Sequence, residues 1–439
     1  MAGRRPVPLK RDHARPRTLP SVISADMEAH LAALVHPAVL AQQDAYRRLG
    51  FRDRVLALPA MVAILLTIVW RQVPAISEAV RMLERDGVLW TPAVRVSQQA
   101  LSVRLRSLPA SLFEGLWTTL EATLHARAAA RTRPLAPVIA RVQRHYPRIW
   151  AIDGSTLEEV FKKVGQARPK TGTVLGGAME AVLDLATKLP VQFWLDADPA
   201  GNDLRFLERI KRVLTPGTMV VMDAAYYAFP FFDWLTEHKC GFVIRARLLR
   251  AEKVITVLHE SPSVRDTIVK MGLYRSHPCT HPVRLVEVKV DGTWRPYLTN
   301  VRDPAILSVD DVVDLYARRW RIEEAFLVTK RLLGLSYLWT GAFNGIAVQI
   351  WSSLLLYAVL VDLTDAVAEE VGQPLDAMSL EMTFRGLYHY TSAVSQGRTT
   401  DDAVTYLAAQ DRLGLVKRRR PDRERRRSGR DTWREELIA

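Results

Sequence analysis

Two aspartates stand at positions where carboxylates are suited to bind a metal ion. Asp153 follows the apolar run 149–152 and Asp223 follows the apolar run 219–222, so each is expected where a strand ends and a turn begins. Ligand sites gather at the carboxyl ends of strands in open α/β sheets. Two carboxylates brought together there repel each other, and a cation relieves that repulsion. An aspartate that only caps the following turn is the alternative for either residue alone.

A third carboxylate, Glu323, lies in a segment with helical periodicity, together with Tyr316, Arg319 and Lys330. At about 100° per residue, these four side chains fall within roughly a 60° arc of one helix. One face would then carry a carboxylate that can bind metal between two cations that can grip phosphate groups. A solvated face with intrahelical ion pairs is the ordinary alternative. The neighbouring Glu324 points about 100° away from Glu323.

These residue types suit phosphoryl transfer, which needs an aligned nucleophile and metal ions that stabilise the developing charge. Two Mg²⁺ ions about 3.5–4 Å apart can do this, and Mg²⁺ prefers carboxylate oxygens as protein ligands. We therefore predict that Asp153, Asp223 and Glu323 are the catalytic residues and the ligands of two Mg²⁺ ions, with Mn²⁺ as a substitute.

The elements that must position these carboxylates are those of an α/β protein. Residues 148–247 predict three strands, the second and third joined by a hairpin, and then helix, strand, helix and strand, which is the order of a mixed sheet. Residues 248–305 predict a β-rich insertion, in which 283–290 alternates and Asp291-Gly292 signals a hairpin. A long helix is predicted from Ser308 to about Leu333, with Ser308 and Asp311 as a capping box, and residues 306–410 are otherwise helical.

The N-terminal region 25–130 is predicted to be helical. A short basic helix within 96–108 begins after Ser97, ends before Pro109, and carries Arg104 and Arg106. A helix, a turn and this basic helix resemble a helix-turn-helix, so both arginines are candidate DNA contacts. An ordinary helical bundle is an equally good interpretation.

Charge and composition point to a polyanionic partner. The 439 residues carry a net charge of +14, which favours nucleic acid, and the two cysteines fit a reducing cytoplasm. Segment 1–24 is predicted to be a basic disordered tail, 411–439 an Arg-rich tail that is disordered from Lys417 to Arg430, and 131–147 a linker. The apolar runs 55–70 and 346–361 are shorter than the roughly 20 residues of a membrane span, so we predict core helices and no membrane.

The segment from Tyr316 to Lys330 reads Y-x2-R-x3-E-x6-K and resembles the YREK signature of bacterial insertion-sequence transposases of the IS-four type. Asp153-Gly-Ser and Asp223-Ala-Ala-Tyr stand where this family keeps its first two aspartates, and the β-rich segment matches the family's insertion. The resemblance covers about residues 148–335 well and the N-terminal helices loosely. One departure is Ala225, where the family often has glycine.

This resemblance implies an RNase H-like core that performs cut-and-paste transposition. Strands at the transposon ends would be cleaved, and the freed 3′-OH would join target DNA or form a hairpin. Arg319 and Lys330 would contact phosphates, Tyr316 would hydrogen-bond one, and Trp294 would receive a flipped base unless it only packs. The implied partners are double-stranded DNA and a second copy of the chain in a synaptic homodimer, in a bacterial cytoplasm near the nucleoid.

Two alternatives stay open at this point. One is an RNase H-like nuclease or resolvase that cuts DNA without strand transfer. The other is a DNA-binding protein derived from a transposase that is no longer catalytic. Intact acidic residues with Arg319 and Lys330 beside Glu323 favour catalysis over the second alternative.

Overall fold

The N-terminal region of the protein is helical throughout. The fold was obtained as a computed structural model, which describes residues 25–73, 75–156, 178–196, 203–246, 252–273, 277–331, 339, 342–417 and 433–434. The helices of this region are α1 (Ala25–Ala41), α2 (Gln43–Arg48), α3 (Leu58–Trp70), α4 (Ile76–Arg85), α5 (Gln98–Ser107), α6 (Ser111–Ala130) and α7 (Pro137–Val142).

The described strands form one nine-stranded mixed sheet in the order β3-β2-β1-β4-β5-β9-β8-β7-β6. Strands β1, β4 and β5 run parallel, and the other neighbouring pairs are antiparallel. The mixed α/β class predicted from the sequence is therefore confirmed. The strands are β1 (Arg148–Thr156), β2 (Ala178–Asp184), β3 (Pro190–Asp196), β4 (Thr218–Met222), β5 (Gly241–Arg245), β6 (Glu252–Glu260), β7 (Val264–Met271), β8 (Val283–Val290) and β9 (Thr293–Thr299).

Helices cover both faces of this sheet. Because side chains alternate along a strand, Ile152 and Val220 join one apolar core with Phe232, while Ala151 and Val221 join a second core with helices on the other face. The first core includes α8 (Leu207–Val213) and α9 (Phe229–Glu237). The helices that follow the sheet are α10 (Val309–Arg318), α11 (Trp320–Arg331), α12 (Phe343–Glu370), α13 (Leu380–Ser395) and α14 (Ala403–Ala408).

Helix α12 is the central helix of the protein. It is long and apolar enough to cross a membrane, but 94% of its most apolar window is buried inside the protein. It packs against α3, α5, α6 and α14. The described contacts are those of a core helix, as predicted for residues 346–361.

The segment predicted as a linker, 131–147, is fastened to helix α12. The guanidinium of Arg131 donates to Asp362 at 2.6 Å and to Asp365 at 2.8 Å, and Arg133 also pairs with Asp365. All four side chains are buried, and helix α7 lies within the same segment. Buried ion pairs are costly to break, so this segment is held in a defined position on α12.

Several local predictions are confirmed. The Ser97 side chain accepts from Ala100 N at the start of α5, and the capping box of Ser308 and Asp311 begins α10. The turn between β8 and β9 has positive φ at both Asp291 and Gly292, as a tight two-residue hairpin requires.

Two local predictions are wrong. Strand β1 does not end at Asp153 but continues to Thr156, because residues 150–156 pair with β2 along their whole length. The single helix predicted from Ser308 to about Leu333 is interrupted at Arg319, although the φ of −50° and ψ of −36° there remain helical. There the amide of Arg319 donates to the carbonyl of Tyr316, three residues back, a tighter turn that often marks a functional hinge.

Candidate active site

The first two candidate carboxylates come from adjacent parallel strands. Ile152 of β1 pairs with Met222 of β4, so Asp153 and Asp223 are the next residues along neighbouring strands and lie on the same face. Asp153 lies within β1, whereas Asp223 caps a short 3₁₀ turn and its Oδ1 accepts from Ala225 N at 2.7 Å. The strand pairing therefore delivers both carboxylates to the face of the sheet that α10 and α11 cover.

Arg319 lies between the first and third carboxylates. Its Nη1 donates to Asp153 Oδ2 at 2.6 Å, and its Nη2 donates to Glu323 Oε1 at 3.1 Å. The Arg319 residue is only 7% exposed, and its Nε is buried with no hydrogen-bond partner in the described part of the chain. The guanidinium thus links β1 to α11, with part of its donor capacity unused.

The electrostatics bring all three carboxylates into one site. Burial raises the pKa of Asp153 to about 7, Arg319 opposes this rise, and Asp223 and Glu323 add to it. The 2.6 Å ion pair with Arg319 favours the ionised form of Asp153, but the burial of this carboxyl outweighs it. Asp223 and Glu323 therefore lie close enough to Asp153 to disfavour the charge of its carboxylate.

The donor set suits a hard divalent cation, but its present arrangement is not that of a metal cage. Carboxylate oxygens are the ligands that Mg²⁺ prefers, and mutual repulsion among three carboxylates is relieved by a cation. Among the described residues, no three His, Cys, Asp or Glu side chains are arranged to hold a metal ion. Arg319 lies where two of the carboxylates would otherwise approach each other.

The other residues of the predicted helical face have different positions. The phenol ring of Tyr316 is half-buried, 5.2 Å from the ring of Tyr297 and 5.9 Å from the guanidinium carbon of Arg319. Lys330 belongs to α11, but its side chain lies outside the described residues. Glu324 points away from the triad and pairs with Arg321 at 2.7 Å, as the helical spacing predicted.

Of the other residues predicted to contact DNA, Trp294 and Arg104 already contact neighbouring side chains of the protein. Trp294 of β9 is half-buried, with the guanidinium carbon of Arg265 4.5 Å and the ammonium of Lys289 5.9 Å from its ring. Its face is therefore already engaged by cations. On α5, Arg106 is exposed, and Arg104 lies over the ring of Phe51 at 5.2 Å.

One buried pair beside the site was not foreseen from the sequence. The hydroxyl of Tyr226 donates to Glu180 Oε1 at 2.5 Å, and both residues are fully buried. The bond ties β2 to the turn that follows Asp223, so it helps to fix the backbone at that aspartate. The only signal was a charged residue, Glu180, between apolar residues in the middle of β2.

Comparison with known proteins bears on the segment that contains this site. Residues 146–359 match the family model of the transposase DDE domain. The match supports a DDE transposase. The matched segment spans just under half of the chain and includes Asp153, Asp223 and Glu323. Among curated proteins, none matches the chain.

Proposed function

We propose that this protein is a cut-and-paste transposase of the IS-four type, with Asp153, Asp223 and Glu323 as its catalytic carboxylates. The observation that carries the proposal is their convergence around Arg319 inside the segment that matches the transposase DDE domain. Asp153 and Asp223 come from adjacent strands and Glu323 comes from α11, so three separate elements bring their carboxylates to one point.

The strand order supports an RNase H-like core. The part β3-β2-β1-β4-β5 has three antiparallel strands followed by two that run parallel to β1. The β6–β9 strands extend this sheet from its β5 edge. We infer that they form the family's insertion, within residues 248–305, between the second and third catalytic residues.

We infer that the three carboxylates hold two Mg²⁺ ions, which Mn²⁺ could replace. Bound ions would stabilise the charge that develops on the scissile phosphate. In cleavage, a water oxygen would form a bond to phosphorus, and the 3′ oxygen would leave and take up a proton from that water. In transfer, the freed 3′ hydroxyl oxygen would form a bond to a phosphorus of target DNA, and the 3′ oxygen of the target strand would leave and take up the hydroxyl proton. Arg319 must leave at least one carboxylate before a metal ion can use all three. Its unsatisfied Nε supports a second role, in which it contacts a DNA phosphate.

We further propose that the DNA contacts extend beyond the carboxylates. Tyr316 would hydrogen-bond a phosphate and Lys330 would pair with one, as in the YREK resemblance. Arg104 and Arg106 lie on α5 of the helical region 25–130, which would bind double-stranded DNA. Trp294 could stack on a flipped base only after Arg265 leaves its ring face.

The assembly and the setting are also proposals. A homodimer would hold two transposon ends together in the synaptic complex. The protein would act in the bacterial cytoplasm, close to the nucleoid, as is typical of this family. The tail 1–24 lies outside the described residues, whereas residues 411–417 and 433–434 of the second tail are packed on the protein, with Trp433 buried and Arg434 paired with Asp314 at 2.7 Å. The net charge of +14 of the whole chain favours contact with DNA.

The test is Glu323→Gln, which keeps the size of the side chain and removes its charge. The variant should bind DNA carrying the inverted repeats that flank the gene, and it should lose Mg²⁺-dependent nicking by at least about 100-fold, or about 2.7 kcal/mol of transition-state stabilisation. The matched control is Glu381→Gln, because Glu381 is similarly exposed and also pairs with an arginine four residues away.

Retained nicking by Glu323→Gln, or an equal loss in Glu381→Gln, would contradict the assignment. Nicking without joining of a pre-cut 3′ end would favour the nuclease alternative. End-specific binding without any nicking by the unmodified protein would favour the DNA-binding alternative.

A further inference from the structure

A single carboxylate, Asp376, collects cations from three separate elements. It lies in the 3₁₀ turn Leu375–Ala377 between α12 and α13, and its side chain is 13% exposed. Arg318 Nη1 pairs with its Oδ2, Arg321 Nε lies 3.5 Å from its Oδ1, and Lys188 Nζ lies 3.7 Å from the same oxygen. Two guanidinium groups and the Lys188 amine, whose pKa is held well below its usual value by burial, surround one nearly buried carboxylate, and the surrounding structure must hold such a contact in place.

Two of these cations flank the break in the helix that carries the site. Arg318 ends α10, Arg321 lies in the first turn of α11, and Arg319 stands at the break between them. Regular helical hydrogen bonds fix the direction of a continuous helix, but they do not fix the angle at a break. That angle depends on what the residues on both sides contact, and here both sides contact Asp376.

The third cation anchors Asp376 to the sheet. Lys188 lies in the β2–β3 hairpin with a φ of 58° and is 3% exposed. Its Nζ donates to the carbonyl of Leu375 at 3.0 Å, and its own carbonyl accepts from the hydroxyl of Tyr357 on α12 at 3.1 Å. A buried lysine held in a left-handed conformation is kept only where its surroundings demand it. The turn that contains Asp376 is therefore tied to both the sheet and the central helix.

We propose that Asp376 is a positioning residue that sets the angle between α10 and α11 and thereby places Arg319 and Glu323 against Asp153. The proposal rests on the proposed function, because it assigns a role in that same site. Asp376 touches neither DNA nor the triad; it acts only through Arg318 and Arg321. If Asp376 were only structural, its loss would lower the stability of the fold and leave the reaction rate unchanged. As a positioning residue, its loss also lowers the reaction rate.

The experiment compares Asp376→Asn with a matched control, Asp266→Asn. Asp266 is also a nearly buried carboxylate, paired with the buried Arg284 at 2.6 Å, but it lies in β7 of the β-rich region. Both variants should unfold at a lower temperature than the unmodified protein. Only Asp376→Asn should slow single-turnover nicking of prebound end DNA, by roughly 10- to 100-fold, because small misplacements in an active site cost that much.

Three further readouts separate positioning from simple stability. The affinity for end DNA should be unchanged in Asp376→Asn, so that the loss lies in the rate and not in binding. Asp376→Glu, which keeps the charge, should recover part of the rate. Arg318→Gln should slow nicking in the unmodified protein and should add no further loss to Asp376→Asn, because both changes break the same contact.

Hydrogen exchange gives a readout that does not depend on activity. Amides of residues 316–323 should exchange at least about tenfold faster in Asp376→Asn than in Asp266→Asn, because only the first variant frees the helix break. Unchanged exchange in that segment, or an equal loss of nicking in both variants, would overturn the proposal. If the unmodified protein shows no metal-dependent nicking, the proposed function fails, and the exchange comparison still decides whether Asp376 holds the break.

Discussion

Replacing Arg319 by alanine should make the protein less stable without metal and more responsive to metal. The substitution removes the guanidinium that pairs with Asp153 at 2.6 Å and Glu323 at 3.1 Å. Removing one partner of a buried ion pair costs about 3–5 kcal/mol. For 439 residues that unfold as one unit, this corresponds to a fall of roughly 3–5 °C in Tm.

A divalent cation should return part of that stability. In the unmodified protein, the ion must compete with Arg319 for Asp153 and Glu323, whereas in Arg319→Ala the carboxylates have lost that competitor. An ion at 100 times its Kd stabilises the folded state by about 2.7 kcal/mol. Mn²⁺ should therefore raise the Tm of Arg319→Ala by more than it raises the Tm of the unmodified protein.

The assay is thermal unfolding of both proteins across a Mn²⁺ titration, followed by tryptophan fluorescence. The control is Arg284→Ala, which breaks an equally buried ion pair with Asp266. That variant should lose a similar amount of stability and gain no more from Mn²⁺ than the unmodified protein. If Mn²⁺ stabilises Arg319→Ala no better than the unmodified protein, Arg319 does not compete with metal and the reasoning fails.

Two further predictions concern buried acids outside the site. Burial raises the pKa of Glu121 to about 7, above its ordinary value. The protonated side chain therefore contributes its full stability below about pH 4.5, and this contribution is lost as the pH rises through 7. Glu121→Gln should be more stable than the unmodified protein at pH 8, by at most about 3 kcal/mol, and not at pH 4.5. Equal stability at both pH values, or the same gain in the exposed Glu370→Gln, would contradict this. Asp362→Asn should cost about 1.5–3 kcal/mol by calorimetry, because Arg131 loses its charged partner at 2.6 Å and keeps only Asp365 at 2.8 Å. An unchanged Tm would mean that this ion pair does not hold residues 131–147 on α12.

The parts of the fold that follow from neighbouring residues could be predicted from the sequence. The caps at Ser97 and Ser308, the hairpin at Asp291-Gly292 and the apolar strands each depend on a few adjacent residues. The pairing of β9 with β5, which joins the β-rich strands to the main sheet, could not be predicted. It depends on contacts between segments far apart in the chain, for which no local pattern exists.

Some features of the candidate site could likewise be predicted from the sequence, and others could not. Convergence of Asp153 and Asp223 could be predicted, because parallel neighbours place successive strand residues side by side. The ion pair between Arg319 and Asp153 could not, since the two residues lie 166 positions apart in the chain and no local pattern links them. The proposed role of Asp376 could not be predicted from the sequence either, because it depends on ion pairs with residues from other elements.

The position of Arg319 has a consequence for how metal and DNA would act together. One guanidinium cannot neutralise three carboxylates; burial is the main cause of the raised pKa of Asp153, and Asp223 and Glu323 add to the rise. A divalent cation that binds these carboxylates frees the Arg319 guanidinium, which then needs a new anionic partner because its charge is costly to leave unpaired. A DNA phosphate is such a partner. Metal would therefore strengthen the binding of DNA, and by the reciprocity of linked equilibria DNA would strengthen the binding of metal to the same degree. Under the proposed function, such a site would keep Asp153 and Glu323 paired with Arg319 until both the ion and the DNA are present.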